Sequence, residues 1–302
     1  MNRLAWLLFA AVSFLWGIPY FLIKIAIDDL SPLLVVAGRT AIAAAVLIPV
    51  ALLRGTLGAL RGNLRVVALI SAVHIIGPFL LITYGEQHIT SSLTGILIAV
   101  EPVVIALLMS RAEPLTPMRT AGLLTGFAGV VVLVGVDLGG DGWGLLGAGM
   151  VLLAAISYAV ATILVQRRAA HLPPEALTVG TTVTTTLVLA PVSLAALPSG
   201  PVGADAWGAL AALGVLCTAV ALLTFYQLIR IAGSNRAGLV TYVNPVVAVL
   251  LGVIILNEPI GVGTIIGFAM VVTGCWLSTR PAPTKSEKTE ALTASVSPSD
   301  RL

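Results

Sequence analysis

Apolar runs of about 20 residues, long enough to cross a bilayer core as a helix, recur along almost the whole chain. They fall at Leu4–Ile27, Leu33–Leu53, Val66–Gly85, Leu93–Ser110, Met118–Val136, Leu145–Val165, Ala176–Leu197, Trp207–Ile229, Ala237–Leu256 and Val262–Ser278. Charge, Pro or Gly separates them, as at Arg54-Gly55, Asp137 to Trp143 and Pro198 to Pro201. Only helices and closed barrels satisfy their backbone groups in hydrocarbon. Continuous runs of this length therefore predict an all-α integral membrane protein with ten transmembrane helices. Composition agrees: 10% of the residues are charged and 58% hydrophobic, whereas a soluble domain carries about 25% charged residues. Hydrophobicity continues past a cleavage-like Ala11-Val12-Ser13, so the first helix is expected to be retained.

Lysine and arginine placement sets the expected orientation. With the amino terminus inside, Arg3, Arg54, Arg61, Arg65, Arg111, Arg119, Arg167, Arg168, Arg230, Arg236, Arg280, Lys285, Lys288 and Arg301 all face the cytoplasm. Of 16 basic residues only Lys24 and Arg39 lie elsewhere, and neither is in a loop. Asp28, Asp29, Asp137, Asp141 and Asp205 fall in the outer loops. This positive-inside bias predicts a multi-pass protein of the cell membrane with both termini cytoplasmic. Residues 280–302, rich in Pro, Ser, Thr and charge, read as a disordered cytoplasmic tail.

The two halves repeat. Pro49 and Pro191 are 142 residues apart, Glu101-Pro102 and Asn244-Pro245 are 143, and Glu113-Pro114 and Glu258-Pro259 are 145. At that last spacing Gly122 and Gly129 also fall on Gly267 and Gly274. So small a drift indicates duplication. The units are 4–136 and 144–279, each with five spans. An odd number per unit requires the second to be inserted upside down relative to the first. Inverted units with helices broken near the midplane are a transporter arrangement.

The chain resembles the EamA repeat of the drug/metabolite transporter superfamily. The resemblance rests on Trp16-Gly17 with Lys24, Arg39, Glu101-Pro102, Glu113 and the glycines of the fifth helix, in that order within five-helix units. It implies a ten-helix basket around a central cavity that moves amino acids, other metabolites or drugs, commonly outward. The second unit departs from the pattern: Tyr158, Gln166, Thr181 and Asn244 stand where Trp16, Lys24, Arg39 and Glu101 would map. Ionisable groups are thus concentrated in the first unit.

Candidate pathway residues are the polar ones inside the spans. Counted from the outer face, Glu101 lies about 16 Å deep and Arg39 about 12 Å, and intramembrane ions mark pathways. Either the two act on a proton and a substrate, or they form a fixed ion pair between helices. Asn244 suits a substrate contact or a cap for carbonyls freed by Pro245. Trp16 lies near mid-depth, and His74 is a relay candidate or a packing histidine. Tyr158, Gln227 and Tyr242 are candidates for the cavity wall, as are Tyr84 and Tyr226. Pro102, Pro245, Gly17 and Pro19 are the expected helix breaks. Lys24 is expected to snorkel to outer water. The threonines Thr178, Thr181, Thr182, Thr184, Thr185 and Thr186 either line water or bond back to their helix. Glu113 and Glu258 are expected to complement the dipoles of the fifth and tenth helices. The glycines of Gly122–Gly126 and Gly263–Gly267 are expected to seat those helices against neighbours, with homodimerisation as the lesser reading.

Other classes lack their marks. There is no HExxH, no clustered nucleophile and base, and no phosphate-binding glycine loop. The scattered basic residues offer no face for nucleic acid despite the net charge of +3. Cys217 and Cys275 lie within apolar runs, which argues against a disulfide framework. No metal or cofactor is expected. The expected partners are a small-molecule substrate and the lipid bilayer.

Overall fold

The computed structural model describes residues 3–111, 116–137, 142–233, 237, 240–241 and 243–278, which form helices and their connections with no strand among them. Among the described residues, eight helices are long and apolar enough to cross a membrane: α1 (Arg3–Ala26), α2 (Pro32–Leu53), α3 (Leu64–Gly85), α4 (Ser91–Leu108), α5 (Pro117–Gly135), α6 (Gly142–Ala169), α7 (Pro174–Leu194) and α8 (Ala204–Ala232). Two shorter apolar helices follow, α9 (Asn244–Ile254) and α10 (Val262–Ser278), where the sequence predicts longer spans. Glu113-Pro114, Arg236, Tyr242 and the tail lie outside the described residues. Large apolar side chains such as Leu7, Leu53, Ile254 and Val262 stand exposed on the outside of the bundle. So wide an apolar surface suits lipid rather than water.

Local chemistry sets the helix ends. The Ser31 hydroxyl accepts from the Leu34 N–H and Pro32 opens α2; the Thr90 hydroxyl accepts from the Leu93 N–H at the start of α4. Gly55 and Gly233 end α2 and α8 at φ +65° and +80°, which L-residues avoid. Among the described residues three helices contain a π-turn, at Ser71–Ile76, Val165–Ala169 and Val215–Val220. The first and last of these lie 144 residues apart, within the spacing of the sequence repeat. Such insertions widen a helix locally and are frequent at functional sites.

Helices pair antiparallel. Between α2 and α7, Arg54 pairs with Glu175 at one end, Thr40 meets Thr186 in the middle, and the Ser31 hydroxyl donates to the Ala196 carbonyl at the other. Between α3 and α6, Gly85 abuts Gly147 and the Ser157 hydroxyl donates to the Val73 carbonyl. Gly95 of α4 packs on Ala248 of α9, and Trp16 of α1 lies against Phe225 of α8. The closest approach is between α5 and α10. A Cβ on Gly122 would lie 2.7 Å from the Gly274 carbonyl, and one on Gly129 would lie 2.8 Å from the Val271 N–H. Gly126 and Leu133 meet Gly274 and Gly267 in the same falling register. These glycines face each other within one chain.

The threonines of α7 bond back to their own helix. Thr178, Thr181, Thr182, Thr184, Thr185 and Thr186 each donate to the carbonyl four residues back, so the hydroxyls satisfy the helix rather than line water.

Replacing Gly274 with leucine would place a side chain on the Gly126 backbone. A loss of about 1–3 kcal/mol is expected from such overpacking, read as a lower midpoint in detergent thermal unfolding. Gly149→Ala, which meets open space, is expected to leave the midpoint unchanged.

Candidate functional site

The breaks in α1, α4 and before α9 create the site. In α4 the helix runs from Ser91 to Ile98, loosens at Ala99 and Val100, and restarts at Glu101 with Pro102 in its first turn. Pro102 has no N–H to give, and the Ala99 carbonyl at the break accepts from the Cys275 thiol at 2.8 Å. Helix α9 begins the same way, with Asn244 first and Pro245 next. With its nitrogen facing the acceptors, the Asn244 amide donates to the carbonyls of Val240 at 3.0 Å and Ser13 at 2.9 Å. In α1 the break falls at Ile18, between Gly17 and Pro19. Gly17 has a second role: a Cβ there would overlap Val247, so its lack of a side chain lets α9 approach α1.

These breaks surround a central cavity. Trp16, Pro19, Tyr20 and Ile23 line it from α1, Arg39 from α2, His74, Phe79 and Ile82 from α3, and Ile98 and Glu101 from α4. Tyr158 and Thr162 of α6, Cys217, Leu222 and Phe225 of α8, and Thr241 and Asn244 at the entry to α9 close the ring. Helices α5, α7 and α10 contribute nothing to the wall, among the described residues.

Arg39 and Glu101 share this cavity without pairing. The Arg39 guanidinium donates from Nε to the Thr218 hydroxyl at 3.0 Å and lies 4.1 Å from the centroid of the Phe79 ring. Thr218 stands in the α8 π-turn and donates onward to the Leu213 carbonyl. Glu101 accepts from the Thr162 hydroxyl at 3.0 Å. Tyr158 is within electrostatic reach of both charges. The fixed ion pair is therefore not the arrangement found; each charge is held by a hydroxyl from the opposite half of the chain.

The remaining candidates divide. Trp16 lines the cavity, packed at 4.4 Å centroid distance on Phe225. His74 does too; its Nδ1 is 3.0 Å from the Tyr226 hydroxyl and its ring lies edge-on to Tyr158. Gln227 is half-buried and off the cavity wall, because Leu222 and Phe225 occupy the inward face of α8 and a residue two positions past Phe225 is turned about 200° away. Tyr242 lies outside the described residues. Sequence reasoning missed Tyr20, Phe79, Thr162, Cys217 and Thr241.

At the Glu258 end two expectations change. Lys24 does not extend to water: its ammonium donates to the carbonyls of Glu86 and Ile89, complementing the C-terminal end of α3. Glu258 serves α4 rather than α10. Its carboxylate accepts from the Ser91 N–H and hydroxyl at 2.8 and 2.9 Å, and from the Ser92 N–H and hydroxyl at 3.0 and 2.5 Å. Four donors at a helix N-terminus make a strong anion seat. Beside it, Glu86 is fully buried, a position the sequence reading passed over.

The comparisons with known proteins agree with this architecture. The EamA-like transporter family matches residues 3–135 and 145–280. The uncharacterized inner membrane transporter YedA of Escherichia coli (strain K12) is 30% identical over 253 residues, covering 80% of this chain and 79% of its own. The uncharacterized transporter YoaV of Bacillus subtilis (strain 168) is 24% identical, over 89% of this chain and 94% of its own. One crystal structure, 24% identical in sequence, shares the fold with a TM-score of 0.67 over 92% of this chain and 97% of that one. The chain is thus a multi-pass membrane protein that belongs to the EamA-like transporter family.

Proposed function

We propose that the protein is a secondary carrier that exports small zwitterionic metabolites such as amino acids by alternating access, with Glu101 as the proton-linked group. The observation that carries this reading is a cavity between broken helices in which a carboxylate and a guanidinium stand apart, each on its own hydroxyl partner. A zwitterion offers an ammonium to the first and a carboxylate to the second. Trp16, Tyr158 and Asn244 would then shape the pocket around its side chain.

The helix pairing supports ten spans in two mutually inverted units, 4–136 and 144–279. Exchanging the first five helices for the second five leaves the pairing unchanged: α1 with α8 becomes α6 with α3, while α2–α7, α4–α9 and α5–α10 map onto themselves. The two π-turns at equal spacing fit the same relation. Both termini are then cytoplasmic, at the Arg54–Glu175 end, and Glu86 and Glu258 mark the outer end. The carrier works in the cell membrane with no cofactor.

A second reading, efflux of lipophilic toxic compounds, is favoured by the aromatic share of the wall, Trp16, Tyr20, Phe79, Tyr158 and Phe225. Uptake into proteoliposomes with a panel of amino acids and lipophilic cations separates the two. Saturable amino-acid flux is expected, and flux of the cations alone would overturn the zwitterion reading.

Glu101→Gln is expected to abolish accumulation driven by a pH gradient while substrate exchange across the membrane persists. Full gradient-driven transport by this variant would remove Glu101 from proton coupling. Arg39→Ala is expected to raise KM about tenfold to a hundredfold, the value of about 1.5–3 kcal/mol for a hydrogen bond to a charged group, with a smaller change in kcat.

A further inference from the structure

Glu86 follows the last residue of α3 and is 0% exposed, and neither of its carboxyl oxygens has a hydrogen-bond partner among the described residues. Polar ties from two other elements reinforce the apolar packing of Ile82, Ile89 and Leu93 around it. Lys24 of α1 holds the Glu86 and Ile89 carbonyls, and Glu258, beyond α9, holds the first turn of α4. The first tie falls on the short connection that carries Glu86, the second on the helix start that follows it. A Cβ added to Gly252 of α9 would meet the Ser91 hydroxyl at 2.9 Å, so the closure is also tight sterically.

We infer that Glu86 is a proton-binding site, occupied while the Glu258 end of the bundle is closed and emptied when that end opens. The inference rests on the alternating-access reading above. An ionised carboxylate that has lost water and gained no donor is strongly disfavoured. Burial pushes the Glu86 carboxyl well above the usual carboxylate range, with Lys24 opposing, Glu258 adding and Arg39 opposing. Tyr20 of α1 is also within reach, and on its own segment His88 stacks on Trp143 of α6. Opening would break the Glu258 and Lys24 ties, admit water and let the carboxyl O–H pass its proton to that water. By linkage the bound proton favours the closed arrangement, and this contribution is lost as pH rises through the closed-state pKa.

Hydrogen–deuterium exchange on the full chain in lipid nanodiscs tests this without a substrate. After correction for intrinsic rates, protection of residues 86–97 is expected to fall about tenfold or more between about pH 5 and about pH 9. Glu86→Gln is expected to keep high protection at every pH, and His88→Gln to behave as wild type. Wild-type pH dependence in Glu86→Gln, none in the wild type, or an equal loss in residues 122–133 would each overturn the proposal. Should Glu86→Gln not fold, infrared difference spectra provide the second measurement. A protonated-carboxyl band is expected at low pH that shifts in Glu86→Asp, and its absence counts against the site. Failed transport with this pH response intact would instead count against the carrier reading alone.

Discussion

Backbone groups inside hydrocarbon have no water to turn to, so every helix break in this protein needs a partner from elsewhere in the chain. The carbonyl at the α4 break takes the Cys275 thiol, the carbonyl before α9 takes the Asn244 amide, and the π-turn of α3 takes the Ser157 hydroxyl. Each of these side chains comes from another helix or from the break itself. The breaks are thus affordable only because the surrounding helices are in place. In return, the breaks turn the ends of half-helices and the residues beside them toward a common centre.

That centre is electrically divided. The two charges on the cavity wall, Arg39 and Glu101, come from the first half of the chain, while the hydroxyls that hold them, Thr218 and Thr162, come from the second. On the cavity wall the second half is polar but uncharged, so it completes the charged first half without adding a further ion to desolvate. Departures from the repeat at Thr181 and Asn244 fit the same pattern: both are neutral, and both satisfy backbone carbonyls.

Much of this was legible in the sequence. The positions of the eight longer spans, the breaks at Glu101-Pro102 and Asn244-Pro245, and the glycine spacing of α5 and α10 follow from length, proline chemistry and small residues. Which apolar residues face the cavity does not. In a soluble helix polarity marks the outer face, but here lipid and cavity wall both accept Phe79, Ile82 or Cys217, so periodicity carries no signal. A π-turn adds a residue without changing hydropathy, and it stayed invisible. Gln227 shows the converse error, since a polar side chain can stand in an apolar helix off the cavity wall. Glu86 resembled an ordinary loop acid because it lies at the end of an apolar run, and only its burial sets it apart.

The α5–α10 seam limits how the bundle can change shape. Backbones that touch through interlocked glycines cannot slide by a fraction of a turn without collision, because the next ridge meets the next groove only after a full helical step. In any rearrangement the pair would move as one rigid piece. Rearrangement is left to the helices joined by side-chain hydroxyls and aromatic faces, whose contacts can be exchanged one at a time.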